Sequence, residues 1–306
     1  LKKAILIVCA LIGLIFIQFN VARAEILAMV IYESKTPETL KTFKLTGSKE
    51  PEEGIAIIDM DPRAPSFGNI LAKIPFSPDF LGGKIFYDRK LEKAYVTSRS
   101  KPLMYVFDLD DYPYRLRQFK IRNCKMAENL IFSENNLKWF LTCRMSGQVL
   151  IGDAITNEIL NVISLPKSFP HSVAIFRDVN RLLVSSSMSS DFNTKDRFVR
   201  VIELASGRMI KKILLSENTS DEGTAPAQII KIPGARPSVY ISNMVEATLW
   251  AAIWDHLIQD FKITKVFDFK KNKAGMVQEL FFNEEKFIFG CTILVINTPI
   301  ISFSNI

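Results

Sequence analysis

The stretch Tyr95-Val96-Thr97-Ser98 decides the fold of this chain, because close variants of it recur along the sequence. The successive copies begin 45, 43, 57 and 47 residues further on. They read Phe140-Leu141-Thr142-Cys143, Leu183-Val184-Ser185-Ser186, Tyr240-Ile241-Ser242-Asn243 and, more weakly, Phe287-Ile288-Phe289. Each copy ends a short predicted hairpin and leads into another strand. Self-similarity at a period of about 40–50 residues is typical of β-propeller blades.

The segments around these repeats are short strands rich in Val, Ile, Phe, Tyr, Leu and Thr, separated by turns rich in Gly, Asn, Asp, Ser and Pro. They predict an all-β protein, a β-propeller of four-stranded blades with about five blades and an incomplete one. The predicted units span residues 26–74, 84–121, 129–165, 172–215, 228–269 and a last unit from about 278. A two-layer β-sandwich is the alternative, but it would not repeat one strand–turn–strand phrase at one spacing.

The last predicted unit stops before its fourth strand. A propeller ring normally pairs its last blade with strand material from its first, because open sheet edges are a liability. The unfinished unit therefore predicts a chain truncated from a longer, seven-bladed ring.

The first 24 residues have the pattern of an export signal. Lys2 and Lys3 precede an apolar run from Ala4 to Phe19, and Ala22-Arg23-Ala24 then supplies a small-x-small cleavage pattern. The run would span about 24 Å as a helix, short of a hydrocarbon core of roughly 30 Å. We expect a signal peptide at 1–24, a propeller domain at 25–306, and a periplasmic or extracellular protein without a stable membrane anchor. An uncleaved anchor is the alternative.

The charge of the mature chain is mild. Cleavage would leave 36 basic and 32 acidic residues, and the basic ones are scattered through turns. This balance indicates neither a nucleic-acid partner nor a membrane surface. Three cysteines would remain, Cys124, Cys143 and Cys291, with no zinc-type spacing. Cys124 and Cys143 fall in one predicted blade and could form a disulfide, or stay as two separate buried thiols.

Two groups of motifs carry a resemblance to known families. The repeated phrase resembles the Tyr-Val-Thr-Asn repeat of exported bacterial β-propellers. Asp59-Met60-Asp61-Pro62-Arg63-Ala64-Pro65 looks like the opening blade of the selenium-binding protein and methanethiol oxidase family. Membership of that family implies a copper-dependent oxidation. Its oxidase members carry a His-rich string where this chain has Phe80-Leu81-Gly82-Gly83, and His171 and His256 are the only histidines here.

Aligning the units by their hairpins gives one column of residues at the start of each innermost strand. The column reads Gly83, Glu128, His171, Gln228 and Glu279. In a propeller these positions crowd the mouth of the central channel. Glu128, His171, Gln228 and Glu279 could together hold a cation or a small polar ligand there, or form a hydrated mouth without a ligand. Whether a metal binds is left open.

No catalytic motif is readable in the chain. There is no Gly-x-Ser-x-Gly elbow and no Gly-rich phosphate loop. The sequence therefore predicts an exported scaffold that binds a partner protein or small ligand at the channel mouth without catalysis, with no identifiable cofactor. A divergent metal-dependent oxidoreductase is the alternative. Two polar insertions, residues 187–196 and 216–226, are either binding loops or mobile surface loops.

Overall fold

A computed structural model describes residues 26–33, 53–110, 115–190, 193–217, 225–272, 275–283, 288–295 and 298–305. The predicted signal segment, its cleavage site and most of the 216–226 insertion lie outside these residues. The described chain contains 22 strands and one 3-10 helix, Phe269–Asn272. Within it, no helix has the length and apolarity needed to cross a membrane.

In the first compact unit, residues 1–76, the described residues 26–33 and 53–76 contain one antiparallel sheet. Its strands are β1 (Leu27–Glu33), β2 (Glu53–Asp59) and β3 (Ile70–Pro75), paired in that order. The carboxylate of Asp59 accepts hydrogen bonds from the Asp61 backbone N–H at 2.8 Å and the Ser66 hydroxyl at 2.5 Å. The acidic segment after β2 is therefore a capped turn.

The second unit, residues 77–306, contains five antiparallel sheets built from consecutive strands. Four of them are four-stranded and the last is three-stranded. The first two are β4 (Gly82–Asp88), β5 (Lys93–Ser98), β6 (Leu103–Asp108), β7 (Arg117–Lys120); and β8 (Ala127–Phe132), β9 (Lys138–Cys143), β10 (Gln148–Asp153), β11 (Ile159–Ser164). The third is β12 (Pro170–Phe176), β13 (Arg181–Ser186), β14 (Phe198–Glu203), β15 (Met209–Leu214). The last two are β16 (Pro226–Lys231), β17 (Ser238–Asn243), β18 (Thr248–Asp255), β19 (Asp260–Asp268); and β20 (Met276–Asn283), β21 (Ile288–Val295), β22 (Thr298–Asn305).

The first strand of each sheet in this unit contacts the first strand of the next, in the order β4, β8, β12, β16, β20. We call these five the inner strands. The predicted all-β architecture of four-stranded antiparallel blades is confirmed, and the predicted unit boundaries coincide with the sheets. Apolar clusters lie between neighbouring sheets, such as the one that joins Leu183 and Val199 to Ile241 and Trp250. The tryptophans of this unit pack in such clusters.

Each inner strand carries a β-bulge at the same place, where two of its residues oppose one residue of the next strand. The bulged pairs are residues 83–84, 128–129, 171–172, 227–228 and 278–279. The opposing residue is the third residue of the repeated phrase. In four sheets it is a hydroxyl residue with no solvent exposure: Thr97, Thr142, Ser185 and Ser242.

These four buried hydroxyls explain why the third position of the phrase is Thr or Ser. Each accepts a hydrogen bond from the backbone N–H of the second bulged residue, at 3.0 to 3.1 Å. Two of them also donate to the next inner strand. Thr142 donates to the His171 carbonyl at 3.0 Å, and Ser185 donates to the Ala227 carbonyl. The hydroxyl therefore satisfies the bulge of its own sheet and connects that sheet to its neighbour.

In two sheets the fourth residue of the phrase fixes the chain that enters the inner strand, whereas Ser98 accepts from the backbone of the turn that follows it. The Ser186 hydroxyl accepts from the Phe169 N–H, and the Asn243 side chain accepts from the Ala225 N–H. In the β8–β11 sheet the same position is Cys143, which forms a disulfide with Cys124. The disulfide alternative of the sequence analysis is thus the observed one, and it replaces a hydrogen bond with a covalent link.

The last repeat lies elsewhere than expected. The expected copy was Phe287-Ile288-Phe289, and Phe287 is outside the described residues. The bulge of β20 instead opposes residue 292, because Leu280 pairs with Cys291 and Val277 pairs with Ile293. The equivalent phrase is Gly290-Cys291-Thr292-Ile293, which keeps the hydroxyl residue but begins with Gly where the other copies begin with Tyr, Phe or Leu.

Removal of one bridging hydroxyl should destabilise the protein measurably. Thr142→Val leaves the buried Asn129 N–H and the His171 carbonyl without this partner, so we expect a loss of about 2 kcal/mol in the free energy of unfolding. Urea denaturation would measure it. Thr156→Val is the matched control, because Thr156 is exposed and its hydroxyl contacts only the neighbouring Glu158 N–H and Asp153 carboxylate. Equal losses in the two variants would contradict a bridging role.

Candidate functional site

The bulges give each inner strand two neighbouring positions at the same end of the unit. The first positions are Gly83, Glu128, His171, Ala227 and Gln278. The second positions are Lys84, Asn129, Ser172, Gln228 and Glu279. The predicted column therefore combines first positions from β4, β8 and β12 with second positions from β16 and β20. The hairpin alignment was one residue out of register on β16 and β20.

Three of the four predicted site residues, Glu128, His171 and Glu279, nevertheless lie close together. Lys84, which was not in the predicted column, lies between the two glutamates. Lys84 Nζ lies 2.9 Å from Glu279 Oε1 and 3.8 Å from Glu128 Oε1. His171 Nε2 lies 3.6 Å from Glu128 Oε1. These contacts join β4, β8, β12 and β20, so the starts of the first and last inner strands of this unit meet. Bulges commonly re-aim side chains in this manner.

Arg144 completes the group from the end of β9. Its NH1 lies 3.6 Å from Glu128 Oε2, while its Nε donates to the Met188 carbonyl at 2.7 Å and its NH2 to the Ser189 carbonyl at 3.3 Å. Glu128 is therefore contacted by three basic side chains. We call Lys84, Glu128, Arg144, His171 and Glu279 the central ionic cluster.

The 187–196 insertion is anchored to this cluster in its described part. Met188 is buried against Ala227 and Met244, and it forms a β-bridge with Lys195. Asp196 pairs with the buried Arg200 at 2.6 Å. Residues 187–189 and 196 of this loop are thus buried, while 190 and 193–195 are exposed, and Arg144 links the buried part to Glu128. Residues 191–192 lie outside the description.

Burial and charge set the protonation of the two central groups. Burial lowers the pKa of His171 below its ordinary value of 6.5, with Lys84 and Arg144 acting in the same direction against Glu128 and Glu279. His171 is therefore neutral near pH 7. Burial alone would raise the pKa of Glu128, but the positive charges of His171, once that imidazole is protonated in acid, and of Lys84 and Arg144 outweigh it and bring that pKa below its ordinary value of 4.5. Glu128 is therefore ionised.

Gln228 does not join the central ionic cluster. Its backbone N–H donates to Ser242, and its side-chain oxygen is buried without a hydrogen-bond partner. Together with Asn129, it lines a cavity of about 470 Å³ further along the inner strands. The structure thus separates the predicted site into an ionic cluster and a neighbouring cavity.

The donor set at the cluster does not suit a copper or zinc centre. Such a site needs three or four nitrogen, sulfur or oxygen ligands converging on one point. Here Lys84 and Arg144 occupy the space around Glu128 that further ligands would need. Among the described residues, no group of three or more His, Cys, Asp or Glu side chains is arranged to hold a metal ion.

Two members of the cluster were missed by the sequence analysis. Lys84 directly follows the aligned Gly83, and Arg144 directly follows the repeat that ends in Cys143. A search for charged residues next to the column, rather than within it, would have found both. For Lys84 the bulge is the physical reason, because it adds a second position next to the aligned Gly83; Arg144 lies outside the bulge, in the turn after β9.

Comparison with known proteins supports the fold. No family model matches the chain, and no curated protein matches it. It is similar to a chain in the crystal structure of the Mitotic Checkpoint Complex, with a TM-score of 0.61, 13% identity and coverage of 84% of this chain and 71% of that one. It is also similar to the RRP9 WD40 repeats, with a TM-score of 0.51, 10% identity and coverage of 71% and 58%. The structure of U3-55K is similar with a TM-score of 0.52 and 10% identity, over 75% of this chain and 66% of that one.

These similarities identify the class of fold. WD40 repeats form β-propellers, so the predicted β-propeller fold is confirmed. The chain spans 58% and 66% of the lengths of the last two neighbours. The relation to selenium-binding proteins and the Tyr-Val-Thr-Asn repeat class stay predictions.

The burial of His171 predicts a specific pH dependence of stability. Because the folded state holds the pKa of His171 below 6.5, the neutral form is favoured in the fold, and stability is lost as pH falls below that value. Glu128, whose pKa is also lowered, adds a further loss only below its ordinary value of 4.5. Urea denaturation between pH 8 and pH 5 should show the first loss in the wild type and a flatter profile in His171→Gln.

The second histidine provides the control for this experiment. His256 is exposed in the turn between β18 and β19. His256→Gln should keep the wild-type pH profile. An unchanged profile in His171→Gln would show that His171 is not held neutral by the fold.

Proposed function

We propose that this chain is an exported β-propeller scaffold that binds a partner protein across the face where the inner strands begin, and that it catalyses no reaction. The observation that carries the proposal is the central ionic cluster together with the exposed basic residues around it. The proposed partner presents an acidic segment to this face.

The basic residues surround the cluster because of strand direction. In an antiparallel sheet, the start of the first strand, the end of the second, the start of the third and the end of the fourth share one edge. Four exposed basic residues lie in the turns of this edge and form no ion pair among the described residues: Arg99, Arg122, Lys125 and Lys167.

Both edges carry ion pairs: at the first edge Lys101 lies 2.9 Å from Asp79, and the opposite edge has more of them in the described chain. There Arg117 lies 3.4 Å from Asp108, Arg208 lies 3.9 Å from Glu203, and Lys231 lies 3.2 Å from Glu134. Basic residues that already face carboxylates offer little to an acidic partner, whereas unpaired ones attract it and accelerate its association. Arg89, Lys90, Arg177 and Arg236 are also exposed at the opposite edge without an ion pair among the described residues, so the central ionic cluster, and not the unpaired basic residues alone, distinguishes the first edge.

The fold neighbours are consistent with a scaffold role. One of them was crystallised as part of the Mitotic Checkpoint Complex, so a propeller of this shape takes part in a protein assembly. At 13% identity this similarity concerns the fold alone. The assembly role is carried to the present chain only as part of our proposal.

The disulfide supports the export part of the proposal. Disulfides persist in secreted and periplasmic proteins and are rare where thiols are kept reduced. The Cys124–Cys143 bond takes the place of a hydrogen bond that other sheets use to fix the same turn. An exported protein can rely on such a bond, which agrees with the expected signal segment.

Charge reversal on the proposed face should abolish partner capture. An affinity-tagged wild type would be expressed in the source cells, and its partners captured from the exported fraction and identified by mass spectrometry. We expect the double variant Arg99→Glu, Lys125→Glu to capture the main partner at least tenfold less, because like charges repel its acidic segment. Capture by the wild type should also weaken as salt is raised.

The opposite edge supplies the matched control. Arg236 is exposed in the turn between β16 and β17, so Arg236→Glu makes the same charge change away from the proposed face. It should leave capture unchanged. Equal losses in both variants, or capture of nucleic acid in place of protein, would reject the docking face. Stoichiometric copper in the purified protein would instead favour the metal-dependent oxidoreductase.

Export predicts a defined mature terminus. Cleavage after Ala24 should give a protein that begins at Glu25 and is recovered outside the cytoplasm. Intact-mass and N-terminal peptide measurements on the protein from source cells would show this. Recovery of the whole apolar segment in a membrane fraction would contradict cleavage and indicate an anchor.

A further inference from the structure

A cavity of about 470 Å³ lies between four of the inner strands. Its lining comes from β4, β8, β12 and β16, and it continues along these strands beyond the central ionic cluster. Its volume is within the range of small-molecule sites. The lining is mostly apolar, with Phe86, Leu130 and Ile229 among its members.

Two amide side chains interrupt this apolar lining. Asn129 and Gln228 occupy the second bulge positions of β8 and β16, and both line the cavity. Asn129 is only 5% exposed. The side-chain oxygen of each is buried and has no hydrogen-bond partner. A buried amide oxygen without a partner costs about 1–3 kcal/mol relative to a satisfied one. The fold gains nothing visible from either amide, which points to a ligand as their partner.

The charges around the cavity indicate that this ligand is uncharged. Glu134 and Lys231 are its only charged lining residues, and they pair with each other at 3.2 Å. Neither is left to balance an ionic ligand. The ionised groups of the cluster are likewise paired among themselves, with Lys84 between Glu128 and Glu279.

An amide can accept a hydrogen bond through its oxygen and donate one through its nitrogen. A hydroxyl group can also do both, so hydroxyl groups match a pair of amides better than groups that only accept. We propose that the cavity binds an uncharged, compact molecule bearing several hydroxyl groups, of the size of a monosaccharide or cyclic polyol. This binding goes beyond the proposed docking of a protein partner, because it uses side chains inside the channel rather than the exposed basic residues.

Saturation-transfer NMR on the purified protein would test the proposal with named probes. The neutral probes are glucose, myo-inositol and sorbitol, and the charged comparators are glucosamine and gluconate. We expect at least one neutral probe to bind, with the charged comparators at least tenfold weaker. Asn129→Leu and Gln228→Met, which keep roughly the same volume, should each weaken binding of that probe at least tenfold.

Gln148 is the matched control, because its buried side-chain oxygen also lacks a partner but it does not line the cavity. Gln148→Leu should leave binding unchanged. The ligand-free thermal midpoints of Asn129→Leu and Gln228→Met should equal or exceed that of the wild type, because an unpartnered buried amide is removed. This second measurement does not depend on having found a ligand.

Several results would overturn the proposal. The proposal fails if none of the three neutral probes binds, or if the charged comparators bind as tightly as the neutral probes. It also fails if neither cavity substitution weakens binding. A clear fall in thermal midpoint for both variants would show that the amides serve the fold, through channel water, rather than a ligand. The Arg99→Glu, Lys125→Glu variant should bind the neutral probe as the wild type does, which separates this site from the docking face.

Discussion

The buried hydroxyl at the third position of the repeat is the interaction on which the second unit depends. It holds the bulge of the inner strand by accepting a backbone N–H, and in two sheets it also donates to the next inner strand. A bulge leaves backbone groups outside the regular ladder, and a buried group without a partner is costly. The hydroxyl of one short side chain accepts a hydrogen bond from the bulged backbone and so provides that partner. The bulge gives each inner strand two adjacent positions near one end, and on β8 the first of them, Glu128, joins the ionic cluster while the second, Asn129, lines the cavity.

The electrostatics of the cluster follow from burying charge at this site. Glu128 is mostly enclosed, and an isolated carboxylate there would be strongly destabilising. Lys84, Arg144 and His171 surround it from three other strands or strand ends, and Arg144 also fixes the backbone of the insertion after β13. Such a network favours one arrangement of neighbouring sheets over others.

The strand pattern could be predicted from sequence because its signals are local. Alternating β-branched and aromatic residues, and turns such as Ala205-Ser206-Gly207, mark strands and their ends without reference to the rest of the chain. The site could be predicted only in part. Glu128, His171 and Glu279 were expected to meet and do lie around Lys84, whereas Gln228 faces the cavity instead. The misplacement by one residue has a different source on each of the two strands: the β16–β17 hairpin is one residue longer than the others, and the last repeat was expected at Phe287 although its equivalent begins at Gly290. A bulge is also not visible in a hydrophobic pattern.

The amino-acid sequence alone determined the all-β class, the blade repeat and the position of the hydroxyl phrase, because these depend on the local preferences of consecutive residues. Only the tertiary structure decided which polar side chains meet. Lys84 and Glu279 are 195 residues apart in the chain and 2.9 Å apart in space. It also decided that Cys124 and Cys143 are bonded, and that Asn129 and Gln228 share one cavity. These pairings arise from the packing of one sheet against the next, and no single strand carries a signal for its distant neighbour.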